Sequence, residues 1–253
     1  MFDTLPLFSR VLWISATALE CLLAITVLRG DAWKRYPAMT VYVTWQAVGG
    51  FAALLISRLG SPMFYFVAFY VVNILANAIV FAIALELYYN VFDPRIGFSS
   101  WRPRHVVIMI SASSGMALML GLLLAARNGG SLNRTMVTME QVMSVALWAT
   151  FCILLIYSRL LGFRWRPRPK GIAIGFLLYL TVLVIAVFVR ARFSMGAALI
   201  AGQAEMAAEF LSLAWWLGVF WNEEKLPEAT TPEQVEERVA KYRETVEAAT
   251  RLL

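Results

Sequence analysis

The chain has 253 residues, of which 60% are hydrophobic and 15% are charged. This composition is too apolar for a water-soluble domain of the same length and indicates a polytopic membrane protein. The formal net charge of +6 is spread over segments that flank apolar runs, so we interpret it as a determinant of topology and expect no nucleic-acid binding.

Seven apolar runs are each long enough to cross a hydrocarbon core of about 30 Å, which takes roughly 20 helical residues. Their continuous rather than alternating hydrophobicity favours helices over a β-barrel. The predicted fold class is therefore all-α, a bundle of seven transmembrane helices in a membrane domain of residues 1–222. The predicted spans are 11–28, 38–57, 63–89, 106–126, 136–161, 171–190 and 197–221.

Basic residues predict the orientation of the chain, because they favour the cytoplasmic side of a membrane. Loops one, three and five carry eleven Lys and Arg residues, whereas the opposite side carries six. With an odd number of helices, this bias places the N-terminus outside and the C-terminus in the cytoplasm. The expected location is a plasma membrane or a bacterial inner membrane.

The first and third predicted helices carry polar residues near mid-depth. Glu20 lies in the first helix, and Tyr70, Asn73 and Asn77 share one face of the third by their spacing. An ionised side chain at the bilayer centre costs about 2.5–3.5 kcal/mol. We therefore expect these side chains to face the bundle interior.

Glu86, also in the third helix, is the expected exception. It lies near the predicted cytoplasmic end, beside Tyr88 and Tyr89. There its carboxylate can reach the interface or pair with an arginine from a loop.

The fourth predicted helix carries a strip of small residues at spacings of three, four and four: Ser114, Ala117, Gly121 and Ala125. Such a strip predicts close helix packing, within this chain or with a second subunit. The tetrapeptide Trp-Arg-Pro-Arg occurs twice, at 101–104 and 165–168, in the two cytoplasmic loops that join predicted helices three to four and five to six. Interfacial anchoring and helix termination explain it, and contact with anionic lipid or a partner is the alternative.

The fifth and seventh predicted helices add further polar residues, and Glu205 and Glu209 share one helical face. If the polar faces of helices one, three, five and seven converge, they line an acidic pocket that opens to the outside. The candidate ligand-binding residues are Glu20, Tyr70, Asn73, Asn77, Glu140, Gln141, Gln203, Glu205 and Glu209.

Two other roles for these residues stay open. In a structural role, Asn and Gln side chains hydrogen-bond between helices, and Arg10, Arg190 or Arg192 neutralises the glutamates. In the other, the carboxyl groups carry protons along a path through the bundle.

Several classes of protein lack support in the sequence. Every proline and every lysine lies outside the predicted spans, so the helices are expected to be unbroken and a retinal Schiff base is excluded. No phosphate-binding loop, nucleophile elbow or metalloprotease motif is present. We therefore expect no enzymatic activity, no cofactor and no metal site.

Beyond residue 222 the composition becomes charged and helix-forming, which marks residues 223–253 as a cytoplasmic tail. Apolar residues at heptad spacing predict an amphipathic helix with a contact face formed by Val235, Val239, Tyr242 and Val246. A passive helix on the bundle or lipid surface is one interpretation. Docking of a protein partner or self-association is the other, and a net negative tail favours it over an anionic membrane.

Together these features favour a receptor-like or sensor-like membrane protein that binds a small ligand, with a cation favoured, in an outward-facing polar pocket. A non-catalytic accessory subunit of a larger membrane complex is the first alternative, with contacts through helix four and the tail. A small cation-coupled or proton-coupled transporter is the second. Membrane lipids are expected partners in every case.

Overall fold

The computed structural model describes residues 7–30, 32–59, 62–91, 115, 119, 123, 132–160, 165–192 and 195–222. This part of the chain is helical and contains no strand, which confirms the all-α class. The helices are α1 (Leu7–Arg29), α2 (Ala32–Arg35), α3 (Pro37–Leu59), α4 (Pro62–Val91), α5 (Leu132–Leu160), α6 (Pro167–Arg192) and α7 (Met195–Trp221).

The six long helices coincide with six of the seven predicted spans. The span predicted at 106–126, except for positions 115, 119 and 123, lies outside the described residues, as does its whole small-residue strip. The tail of residues 223–253, with its predicted contact face, also lies outside them. The seven-helix count and the tail therefore stay predictions.

Prolines mark the beginnings of three helices. Pro37, Pro62 and Pro167 are the first residues of α3, α4 and α6. Proline suits this position because its fixed φ is already helical and its missing N–H would have no partner within the helix. As a result, these helices begin one to four residues before the predicted spans, and no proline interrupts the apolar part of a described helix.

Four of the helices are long and apolar enough to cross a membrane. The segments are Ser9–Arg29 in α1, Val67–Val91 in α4, Thr138–Ile156 in α5 and Pro167–Val189 in α6. This assignment rests on helix length and composition. It agrees with a membrane protein and does not by itself fix the number of spans.

The long helices are arranged as a closed ring. Going round it, α1 packs against α3, α3 against α4, α4 against α5, α5 against α6, α6 against α7, and α7 returns to α1. The short helix α2 lies in the connection between α1 and α3 and contacts both.

The outer face of the ring is apolar. Phe51, Ile156, Phe188 and Ile200 are each more than 60% exposed. Soluble monomers rarely expose large contiguous apolar patches, whereas a lipid environment requires them. The exposure pattern therefore supports the membrane assignment independently of helix length.

The interior of the ring differs between its two halves. In the half that contains the end of α1 and the beginning of α3, here called the packed half, large side chains fill the centre. Tyr36, Met39, Leu87, Leu154 and Ile172 are almost completely buried there. The opposite half, which contains the beginning of α1 and the end of α3, holds a cavity and is called the cavity half.

An aromatic cluster closes the packed half towards mid-depth. Phe176 of α6 stacks on Phe151 with ring centroids 5.2 Å apart and meets Trp216 at 4.5 Å. Tyr42 of α3 packs edge-on against Phe176 at 5.3 Å and against Trp216 at 6.1 Å. Such pairs add to the free energy gained from burial, so this cluster joins four helices across the ring.

The α6–α7 pair is fastened by hydrogen bonds from side chains to backbone. Ser212 Oγ donates to the Gly175 carbonyl at 3.1 Å, Trp215 Nε1 to the Gly171 carbonyl at 2.9 Å, and Trp216 Nε1 to the Ile172 carbonyl at 3.2 Å. A Cβ atom on Gly175 would collide with the Trp216 indole. Gly171 and Gly175 thus form a small-residue motif that lets the two helices approach closely.

Candidate functional site

The cavity half encloses a cavity of about 400 Å³ that reaches from near the beginning of α1 to mid-depth. All six long helices contribute to its wall. Its polar wall residues are Thr17, Glu20, Gln46, Tyr70, Asn73, Glu140, Tyr179, Glu205 and Glu209.

Six of the nine predicted ligand-binding residues lie in the wall of this cavity: Glu20, Tyr70, Asn73, Glu140, Glu205 and Glu209. They come from four helices that are far apart in sequence. The ring arrangement brings them together because each polar face points inward.

Three predicted residues, Asn77, Gln141 and Gln203, are absent from the described wall. Asn77 lies one helical turn beyond Asn73 towards the packed half, past the point where α4 stops lining the cavity. Gln141 and Gln203 directly follow the wall residues Glu140 and Gly202, and a helix turns about 100° per residue. Each therefore lies on an adjoining face of its helix.

Two wall residues, Gln46 and Tyr179, were not among the predicted candidates. Gln46 is the amide side chain in the span predicted at 38–57, so the cost of burying a polar group in lipid would have singled it out. Tyr179 gives a weaker indication, because tyrosine is amphipathic and tolerates many positions.

Gly50 makes room for Glu20 and Thr17 on α1. A Cβ atom at this position would lie 3.0 Å from Glu20 Oε2 and 3.3 Å from the Thr17 side chain. The neighbouring Gly49 faces the other way, where a Cβ would lie 2.8 Å from Val72 of α4. The glycine pair therefore lets α3 pack closely between α1 and α4 at the level of the cavity.

The cavity wall is strongly acidic. Four carboxylates line it, and none of its described wall residues is Lys, Arg or His. Like charges in a partly dehydrated space repel one another, and a cation among them would offset this repulsion. The wall also carries aromatic rings, with Phe69 and Tyr70 in edge-on contact at 5.5 Å and Trp13 and Tyr179 beside them in the lining.

Glu86, the expected exception, lies away from the cavity in the packed half. Its Oε1 accepts a hydrogen bond from the Ala38 backbone N–H at 3.0 Å, and its Oε2 accepts one from Met39 at 3.2 Å. The first N–H groups of a helix have no partner within it and carry its positive dipole end. Glu86 therefore caps α3. The sequence predicted that its carboxylate would reach the interface or pair with an arginine from a loop, and it did not predict the cap.

The second Trp-Arg-Pro-Arg copy ties three helices together in the packed half. Trp165 Nε1 donates to Ser158 Oγ of α5 at 2.6 Å. Arg168 Nη2 donates to the Asn222 carbonyl at the end of α7 at 2.9 Å, while Pro167 begins α6. These contacts support the structural interpretation of this copy; the first copy lies outside the described residues.

Chemically, the arrangement is suited to non-covalent binding. Within the described residues, no group of three or more His, Cys, Asp or Glu side chains is placed to hold a metal ion. The carboxylates, amides and hydroxyls of the wall can accept hydrogen bonds from a ligand, and the aromatic faces can contact a cation. Comparisons with protein-family models, with curated proteins and with solved structures found no match to this chain.

Proposed function

We propose that this protein is a receptor-like or sensor-like membrane protein that binds a small organic cation in the cavity. The observation that carries the proposal is the concentration of four carboxylates in one cavity whose described wall has no basic residue. An ammonium group among these carboxylates would offset part of their mutual repulsion, which a neutral or anionic ligand would not do.

The size and lining of the cavity narrow the ligand class. A volume of about 400 Å³ falls at the lower end of the range for small-molecule sites, about 300–1,000 Å³. Trp13, Phe69, Tyr70 and Tyr179 provide aromatic surface beside the acids, as in sites that recognise quaternary ammonium groups. We therefore propose a primary or quaternary amine with a short apolar body.

The proposed topology has seven transmembrane helices, an outer N-terminus and a cytoplasmic C-terminus, in a plasma membrane or bacterial inner membrane. The support is the bias of basic residues towards one set of loops. With this orientation the cavity half faces the outside, and the cavity is open to an external ligand. A reporter fused after Leu253 tests the orientation, and its appearance on the outer side would contradict an external ligand.

The binding test compares choline with 3,3-dimethylbutan-1-ol, a neutral molecule of nearly the same shape. Thermal unfolding of the full-length protein in detergent is measured with each compound at constant ionic strength. A ligand at 100 times its Kd stabilises the folded state by about 2.7 kcal/mol. We expect stabilisation by choline, or by phenethylamine as a second probe, and none by the neutral alcohol.

Matched variants assign the effect to the cavity. Glu205→Gln removes a wall carboxylate, so stabilisation by the amine should decrease. Glu86→Gln removes the same charge from the opposite half and should leave the amine effect unchanged. Equal stabilisation by both compounds, or an amine effect that survives Glu205→Gln, would contradict a cation site in this cavity.

A transporter is the second candidate, because the cavity extends to mid-depth, where many transporters hold their substrates. In that case the aromatic cluster beneath the cavity would have to open to the other side. Choline uptake into vesicles that contain the purified protein separates the two functions. A receptor binds choline without accumulating it, whereas a transporter accumulates it.

An accessory-subunit role rests on the fourth predicted helix and the tail, so purification tests it. Mild-detergent extraction from the native membrane should yield an isolated chain or a self-associated form. Recovery of stoichiometric unrelated chains would favour the subunit interpretation instead.

A further inference from the structure

A second, much smaller space lies between the cavity and the aromatic cluster. Its volume is about 10 Å³, which is room for roughly one water-sized sphere. We call it the inner chamber, and its wall is formed by Glu20, Tyr42, Gln46, Tyr179, Glu209, Ser212, Leu213 and Trp216.

Of the two acids of the inner chamber, Glu20 is buried and Glu209 is half-buried. Glu20 is only 6% exposed. In the described part of the chain, neither the Glu20 nor the Glu209 carboxylate accepts a hydrogen bond. Glu140 and Glu205 differ in this respect, because each has a further interaction within the protein.

Two ionised carboxylates in this space would repel each other, and either a proton or a bound cation would relieve that repulsion. Leu213 and Trp216 form the apolar side of the chamber, and on the other side both carboxylates face the larger cavity. Removing charged groups from water without pairing them costs several kcal/mol per ion. A cation in the chamber would contact both groups at once.

The neutral groups of the chamber provide further oxygen atoms. Gln46 Nε2 donates to the Tyr42 hydroxyl at 3.4 Å, which engages the nitrogen end of the amide and leaves its oxygen available. Ser212 Oγ donates its proton to the Gly175 carbonyl, so its lone pairs can face a ligand. Carboxylate, amide and hydroxyl oxygens are ligands for hard cations.

We propose that the inner chamber binds one dehydrated monovalent cation of the size of Na⁺ between Glu20 and Glu209, with Gln46 and Ser212 as neutral ligands. Mg²⁺ retains several water molecules and does not fit a space of this size. The chamber offers two carboxylates rather than the larger acidic sets typical of divalent sites, in agreement with the lack of such a group among the described residues.

This site adjoins the amine site and shares residues with it, but the proposal does not depend on an amine binding above it. Glu20, Gln46, Tyr179 and Glu209 line both spaces. A cation in the inner chamber would therefore reduce the negative charge that the floor of the cavity presents to a second ligand.

The test measures binding of ²²Na⁺ to the full-length protein in detergent by scintillation proximity, with N-methyl-D-glucamine chloride keeping the ionic strength constant. No organic ligand is needed, so failure of the amine proposal does not affect the result. We expect saturable binding of one ion per chain, weakened by about tenfold or more in Glu20→Gln and in Glu209→Gln.

Two further variants keep the test decisive. Ser212→Ala removes one neutral ligand and should weaken binding less than the acid variants do. If an acid variant does not fold, this variant still tests the site. Glu86→Gln removes a charge outside the chamber and should leave ²²Na⁺ binding unchanged. Size-exclusion chromatography verifies that each protein is monodisperse before binding is measured.

Three results would overturn the proposal. The first is a lack of saturable ²²Na⁺ binding by the folded wild-type protein, which would leave the chamber to a water molecule. The second is equal binding by the wild type and both acid variants. The third is displacement of ²²Na⁺ by Ca²⁺ at concentrations far below those of Na⁺, which would assign the chamber to a divalent ion.

Discussion

The two halves of the bundle are built from the same six helices, but different side chains occupy their interiors. In the packed half, interior positions carry large apolar side chains, and the half-buried acid Glu86 accepts hydrogen bonds from two backbone N–H groups. In the cavity half, corresponding interior positions carry four carboxylates around an open space. From this comparison we expect substitutions in the packed half to reduce stability more than substitutions in the cavity half do.

The largest expected effect comes from the aromatic cluster. Phe176→Ala removes a fully buried ring that contacts Phe151, Tyr42 and Trp216. We expect the free energy of unfolding to fall by about 3–5 kcal/mol, because the cavity left by the ring cannot be refilled. Equilibrium unfolding in a mixed detergent series measures the change.

Phe188→Ala is the matched control for this prediction. Phe188 lies on the same helix, α6, but is 61% exposed on the outer face. Its replacement should change the free energy of unfolding far less. Similar losses for the two variants would contradict the assignment of stability to the packed interior.

A medium effect is expected at the capped end of α3. Glu86→Ala leaves the Ala38 and Met39 N–H groups without their acceptor. An unsatisfied buried donor costs about 1–3 kcal/mol, so thermal unfolding should shift to a lower temperature. Glu86→Gln keeps one acceptor oxygen, so its loss should be smaller; equal losses would show that the carboxylate charge is essential to the cap.

The smallest effect on stability is expected in the cavity half. Glu209→Gln preserves size and removes one of four clustered carboxyl groups, so the free energy of unfolding should stay within about 0.5 kcal/mol of the wild type or increase. The same thermal assay, in sodium-free buffer, measures it. A loss of several kcal/mol would show that Glu209 pairs with a buried base, in agreement with the structural role left open by the sequence.

Helix positions followed from the sequence because apolar length and proline placement are local properties. The predicted spans at 63–89 and 197–221 differ from α4 and α7 by no more than two residues at either end. The gathering of Glu20, Glu140, Glu205 and Glu209 was also predictable, since the cost of a charge in lipid directs each one inward independently of its partners.

The contacts between helices were not predictable in the same way. The position of Gln46 opposite Glu20 depends on which helices are neighbours in the ring, and sequence periodicity does not give that order. The capping of α3 by Glu86 likewise joins residues 47 and 48 positions apart. Asn77 is absent from the cavity wall because the cavity does not extend to its depth. Side-chain packing in the interior sets that depth, and sequence spacing does not give it.

The fastening of α7 to α6 has a consequence for how the molecule could respond to a bound ion or amine. Three side chains of α7 donate hydrogen bonds to backbone carbonyls of α6, and a Cβ atom on Gly175 would collide with Trp216. On its other side α7 meets α1 at the acids Glu20, Glu205 and Glu209, where a ligand would change the balance of charge. A ligand among these acids therefore acts on the α1–α7 contact, and the fastening implies that α6 follows any displacement of α7.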